Sequence, residues 1–171
     1  MNATAIRAGF LTSVQDLGRP GFRQFGVSVG GALDTHALRV ANLLAGNDES
    51  AAGLEITFGG LRLRFGDDRI AAWCGADFKA RIGSIPLDAG HPALVRAGEE
   101  FSIESPGPGC RAWLAISGGI DVPLVLGSRA GDLRAGFGGV HGRPLRDSEQ
   151  VPLGENPPRA KALIDKLRAE R

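Results

Sequence analysis

Three stretches of this chain carry residue types that do chemistry. The first, Gly26-Val27-Ser28-Val29-Gly30, spells G-x-S-x-G, the pattern of a hydrolase elbow that lifts a serine hydroxyl above a parallel sheet and aims backbone amides at an oxyanion. Asp121 and His141 follow in an order such a triad can take. The elbow needs a strand running into the serine and a helix starting directly after it. Here Val29 to Leu33 intervene before Asp34, the first good helix cap. The downstream pattern is antiparallel β, so the match reads as a coincidence in a glycine-rich chain, with Ser28 a hydrogen-bonding bystander.

The second stretch is Gln15-Asp16-Leu17-Gly18-Arg19-Pro20-Gly21. Asp16 can accept from turn amides, and Arg19 offers a planar donor fork suited to a carboxylate or phosphate. The third comprises Gly127-Ser128-Arg129 and Gly142-Arg143-Pro144, the latter repeating the G-R-P of Gly18 to Pro20. Two readings stand side by side. The arginines converge on an anion, or they are ordinary loop arginines paired with Asp16, Asp34 and Asp132. Metal chemistry has no support, because His36, His91 and His141 are isolated and lack ligand spacing. A phosphate loop of the form G-x-x-x-x-G-K-[ST] does not occur.

The elements that must position these residues are mostly short strands. Ile6 to Val14 reads as an opening strand and Phe22 to Val29 as a second. A helix is expected from about Thr35 to Ala45, capped by Asp34, with Leu38, Ala41 and Leu44 as its apolar stripe and Gly46-Asn47 as its stop. Period-two alternation over Leu54 to Phe58 and Leu61 to Phe65, across Gly59-Gly60, reads as a hairpin. Further strand-like runs are Arg69 to Cys74, Phe78 to Ile82, Ala93 to Val95, Glu100 to Ile103 and Arg111 to Ile116. Such close spacing favours a barrel or sandwich over a parallel sheet, which needs longer crossovers. After Asp121 the chain turns loop-like and dense in glycine. Pro157-Pro158 marks a boundary, and the stripe of Ala160, Leu163, Ile164 and Leu167 predicts a terminal helix.

Composition bounds the function. The 171 residues carry a formal net charge of +1, with 43% hydrophobic and 23% charged residues, and 26 glycines with 10 prolines suit many tight turns. Basic residues are dispersed without interleaved aromatics, which gives no case for nucleic acid. No segment approaches the ~18 uninterrupted apolar residues of a membrane span. The N-terminus lacks the apolar core of a signal peptide, so a cytoplasmic location is expected. Cys74 and Cys110 lie far apart beside strand-like runs and read as buried free thiols.

The blocks SVQDLGRPGFRQFGVSVGGALD, ALRVANLLAGN, LEITFGG, AISGGIDVPLVLGSR and GGVHGRPL occur in that order between about Ala5 and Leu145. Together they resemble the biotin-dependent carboxyltransferase family, also called allophanate hydrolase subunit 2, which includes the C subunit of 5-oxoprolinase. The resemblance implies a mainly β, cyclophilin-like barrel with one or two helices, residues 1–150 forming that subdomain and 151–171 a Pro-rich boundary and C-terminal helix. It implies a companion of the allophanate hydrolase subunit 1 type, with the active site near the junction of the two. Related complexes open 5-oxoproline with ATP or move a carboxyl group from carboxybiotin to a urea-like amide. ATP and carboxybiotin would therefore act through the complex, with no cofactor held tightly by this chain.

On that resemblance Arg19 and Arg129, with Gln15 and Ser128, are expected to hold a carboxylate or phosphate. Asp16 and Asp34 order turns, and Asp16, Asp34 and His141 are the acid–base candidates. Two departures stand out. Family members continue into a second β-rich half after the segment matching Val151. The block usually reading G-S-R-S-T is here Gly127-Ser128-Arg129-Ala130-Gly131, without two hydroxyls, and Arg146-Asp147-Ser148-Glu149 replaces the expected Gly-Asp. A fragment, a split subunit and a degenerate copy that only binds and regulates its partner all fit these departures. Exposed apolar surface on such a half also leaves self-association open.

Overall fold

In the computed structural model, which describes residues 2–105 and 107–169, the chain builds two antiparallel sheets and two helices. The first sheet holds β1 (Asn2–Ala8), β4 (Gly59–Phe65), β6 (Lys79–Ile82), β7 (Ile85–Leu87), β9 (Glu100–Glu104) and β11 (Glu149–Pro152), in the order β11-β1-β4-β9-β6-β7. The second holds β2 (Leu11–Gln15), β3 (Gly53–Thr57), β5 (Arg69–Gly75), β8 (Ala93–Val95) and β10 (Arg111–Ile116), in the order β2-β3-β10-β5-β8. Their inner faces close on one core that includes Leu54, Ile56, Leu61, Leu63, Phe65 and Phe101. This is the mainly β, two-helix class that the strand spacing and resemblance imply.

Two sequence readings of the strands change, for one reason. The run from Ile6 to Val14 breaks at Gly9-Phe10 into β1 and β2, which lie in different sheets. The expected hairpin over Leu54 to Phe65 is likewise no hairpin. Thr57 pairs with Leu11 and Arg111 in one sheet, while Leu61 pairs with Ala8 and Ile103 in the other. Alternation sets which face each strand buries and is silent on its partner. The two sheet changes touch each other: a Cβ on Gly9 would stand 2.5 Å from the Gly59 carbonyl oxygen. Both glycines have positive φ, +79° and +69°, so only residues without a side chain pass here at low cost. The expected strand from Phe22 to Val29 is also absent. A single 3-10 turn, Arg23–Phe25, ended by left-handed Gly26, takes its place.

α1 (Thr35–Leu44) forms where its stripe predicts, and the Asp34 side chain caps it by accepting from the Ala37 amide at 2.9 Å. It lies on the outer face of the second sheet, where Leu38 and Ala41 are fully buried. Burying Leu38 contributes about 2 kcal/mol. α2 (Pro158–Ala169) covers the same face further along, with Ala160 and Ile164 buried. The boundary expected at residue 151 falls inside β11, which pairs with β1 from Asn2↔Pro152 to Ala5↔Glu149. Fully buried Arg69 ties the tail down, donating to the carbonyls of Ser117 and Gly154 and to Asn156 Oδ1. The thiols differ from expectation. Cys74 is half-buried and Cys110 exposed, because Cys110 stands just ahead of β10 rather than within it. Among the described residues no helix is long and apolar enough to cross a membrane.

Candidate functional site

Between Ile116 and β11 the chain makes no regular element beyond isolated bridges, and this long glycine-rich loop is held by one buried carboxylate. Asp16, at the end of β2, accepts from the Gly18 amide at 2.7 Å, the Ser128 hydroxyl at 2.6 Å and the Arg129 amide at 2.6 Å. Ser128 is fully buried and in turn accepts from the Ala130 amide at 3.0 Å. Gln15 reaches the same loop, donating to the Gly131 carbonyl at 3.2 Å. Four residues singled out in the sequence (Gln15, Asp16, Ser128 and the backbone of Arg129) thus form one knot from strand end to loop.

Arg19 completes the knot from inside. It is 1% exposed, donates through Nε to the Val125 carbonyl at 3.3 Å and through Nη2 to the Ala130 carbonyl, and lies 4.8 Å from the centroid of the Phe137 ring. Its Nη1 is buried with no hydrogen-bond partner. A guanidinium so enclosed fixes the loop. The arginines do not converge. Arg129 turns outward to Asp121 at 2.8 Å, and Arg143 takes Glu149 in a two-pronged pair at 3.0 and 2.6 Å. Pairing with local carboxylates is therefore the reading that holds for these two, although Asp121 and Glu149 are the partners rather than Asp16, Asp34 or Asp132.

His141 and Asp34 lie apart from this knot. His141 is exposed, sits in the left-handed region at φ +55°, and lines a cleft of about 870 Å³. Phe137, Gly138, Val140, Glu149 and Gln150 line the same cleft. Among the described residues the amides of Gly138, Val140 and His141 have no acceptor. The Arg143 guanidinium, ahead of other influences, holds the Glu149 carboxyl below its ordinary range, so this wall of the cleft stays ionised. Asp34 faces a different hollow beside Cys74 and Trp113, where burial pushes the Cys74 thiol up. Behind Trp113, Glu55 accepts from the indole Nε1 at 2.9 Å and from the Leu33 amide at 2.8 Å, fixing the turn that leads to α1.

No triad forms at Ser28. Its hydroxyl donates to Asp132 at 2.7 Å, Asp121 is taken by Arg129, and no imidazole bonds to either among the described residues. Sequence reading missed Phe137, the Arg143–Glu149 pair and the Glu55–Trp113 bond. The first was visible only as an aromatic between glycines, and the other two join residues whose contact depends on register. No cluster of His, Cys, Asp and Glu among the described residues could hold a metal.

A two-sheet barrel carrying a long glycine-rich loop is the carboxyltransferase type of domain, and solved structures share it. The urea amidolyase of K. lactis superposes with a TM-score of 0.87 at 33% identity, covering 91% of this chain and 10% of that one. The urea carboxylase of Kluyveromyces lactis gives the same score and identity over 14% of its chain. The 5-oxoprolinase C subunit of Escherichia coli (strain K12) is 48% identical over 151 residues, 88% of this chain and 49% of that protein. Residues 25–171 match the carboxyltransferase domain, subdomain A and B, and the chain belongs to that family. It spans about half the length of the 5-oxoprolinase relatives it matches.

Proposed function

We propose that this chain is one part of an amide-processing complex of the 5-oxoprolinase, allophanate hydrolase or biotin-dependent carboxyltransferase type. The observation that supports this most is the cleft over the glycine-rich loop. There an exposed imidazole, an ionised Glu149 and acceptor-free amides border one space. Acceptor-free amides suit the oxygen of an amide that gains negative charge as it is attacked. His141 is the group placed to carry a proton at the amide nitrogen. Asp16, Ser128 and Arg19 hold the loop in this shape before substrate arrives. The substrate class is a small polar amide or carboxylate.

A companion of the allophanate hydrolase subunit 1 type supplies the rest of the site, including ATP where the reaction is hydrolytic and carboxybiotin where it is carboxyl transfer. The complex works in the cytoplasm. Co-expression with that companion tests the reading. Purified together, the pair should open 5-oxoproline with ATP hydrolysis, or carboxylate a urea-like amide from carboxybiotin, and Arg19→Ala or Arg129→Ala should abolish either activity. A pair inactive on 5-oxoproline, allophanate and carboxybiotin-linked substrates removes it. A second reading, a regulatory subunit that docks on the same companion, is favoured by one observation. Ala130, at a position where the family resemblance implies a hydroxyl, is fully buried and its carbonyl accepts from Arg19. A pair that assembles but turns over none of these substrates supports that alternative.

A further inference from the structure

Both helices lie on the outer face of the second sheet, and the outer face of the first is left to solvent. Strand register gathers cations on that face. Arg7 on β1 pairs directly with Arg62 on β4, Arg62 with Ser102 on β9, and Ser102 with Arg81 on β6. Directly paired residues share a face, so three guanidinium groups and a hydroxyl form one row across four strands, about 14 Å at the usual strand spacing. Arg64 and Lys79, two residues along their strands from Arg62 and Arg81, point the same way. Glu100 neutralises the row only in part, accepting from Arg62 Nε at 2.6 Å and facing Arg64 at 3.6 Å. Arg81 donates to the Ser84 carbonyl at 2.9 Å. The side chains of Arg7, Lys79, Ser102 and Glu104 have no partner among the described residues. Five cations against Glu100 and Glu104 leave this face at +3, in a chain whose formal net charge is +1.

Like charges set directly opposite each other cost stability, and the sheet carries Arg7 against Arg62 with no acceptor for Arg7 among the described residues. A Cβ on Gly60 would stand 3.3 Å from the Gly9 Cα and 3.8 Å from the Arg7 guanidinium carbon, so Arg7 lies over the corner where the chain changes sheets. At that corner Phe10 is 74% exposed, and its ring meets that of Phe58, 55% exposed, edge-on at 5.5 Å. Phe58 holds φ +57°, which a bulky residue adopts only at a cost. Exposed aromatics beside an unpaired arginine have the composition of interface anchors. We propose that this face docks the acidic surface of a protein partner. Arg7 and Arg81 meet its carboxylates, and the Phe10–Phe58 pair takes an apolar side chain at the margin. Charge selects the occupant. A second copy of this chain would set +3 against +3. Nucleic acid or an anionic membrane presents phosphates throughout and would set one against the unpaired Glu104, where a protein surface can place a donor. The docking face is independent of the reaction proposed above.

Fluorescence anisotropy of the purified chain with a labelled peptide of four Glu-Glu-Leu repeats reads the face. The peptide should bind at low salt and be released as salt rises to about 0.3 M. Arg7→Glu and Arg81→Glu should each weaken it about tenfold or more, and Phe10→Ala about threefold. Arg159→Glu, the same change of charge on the exposed side of α2, should leave binding within about twofold. Arg7→Glu also turns the like pair with Arg62 into an opposite one, so its thermal midpoint should hold or rise, which separates lost docking from a lost fold. Absence of peptide binding, or an equal loss in Arg159→Glu, would overturn the proposal. So would tighter binding of a single-stranded oligonucleotide of the same charge, or of phosphatidylserine vesicles. A concentration-dependent dimer that Arg7→Glu dissolves would also overturn it, by making a second copy the occupant.

Discussion

Replacing Asp16 by Ala is the sharpest perturbation of the loop. The carboxylate is 8% exposed, and its removal strips acceptors from the Ser128 hydroxyl, the Arg129 amide and the Gly18 amide. The Gly18 amide regains water most readily. The Ser128 hydroxyl is fully buried and the Arg129 amide partly so, and each unsatisfied buried donor costs about 1–3 kcal/mol. The expected loss is about 3 kcal/mol, which for a domain of this size lowers the melting temperature by roughly 6–12 °C. Urea unfolding of the purified chain measures it as a lower midpoint at unchanged slope. Hydrogen exchange should quicken most between Ser128 and Gly142, because those amides depend on the anchored loop. A loss below about 1 kcal/mol, or a larger loss with loop exchange unchanged, would refute the claim that one carboxylate holds this loop in place.

Other variants test separate joints. A Cβ on Gly138 would lie 2.2 Å from the Ala130 carbonyl oxygen at φ +69°, so Gly138→Ala should destabilise by more than about 1 kcal/mol, read by thermal unfolding. Glu55→Ala leaves the Trp113 indole without its acceptor and should cost about 2 kcal/mol, with a change in tryptophan emission. Ser28→Ala should leave partner-dependent turnover largely intact, since the hydroxyl only supports Asp132; a loss above about a hundredfold with the fold preserved would restore it as a catalytic group. Asp132, Glu149 and Asp68 all have folded pKa values below their unfolded ones, from the Ser28 hydroxyl, the Arg143 guanidinium and the Ala97 amide respectively. Their contribution is therefore full above pH ~5 and is lost as pH falls through the lowered values, so the urea midpoint should drop steadily below pH ~4.

Much of the fold is legible in local pattern. The α1 stripe, its Asp34 cap and the runs at Ala93 to Val95 and Arg111 to Ile116 appear where alternation and capping place them. Partnering is not legible, as the sheet changes at Gly9 and Gly59 show, because period two is the same in a hairpin and in two sheets. At the site, Asp16, Ser128 and Arg19 stand out from residue type in glycine-rich turns, and the structure joins them. Their roles depend on burial, which spacing does not carry. Arg19 is a promising anion ligand in sequence and a buried brace in space. Phe137 was unmarked because its importance comes from the guanidinium stacked on it.

His141→Gly in the reconstituted complex tests the central claim, that the loop cleft is where the amide is processed. The substitution relieves the left-handed backbone at φ +55°, so stability should hold or rise. Removing the imidazole proposed to carry the proton should lower turnover about a hundredfold or more. A complex that assembles, melts no lower and loses its activity would be the predicted outcome. Full activity in that variant would contradict the account and move the chemistry out of this cleft.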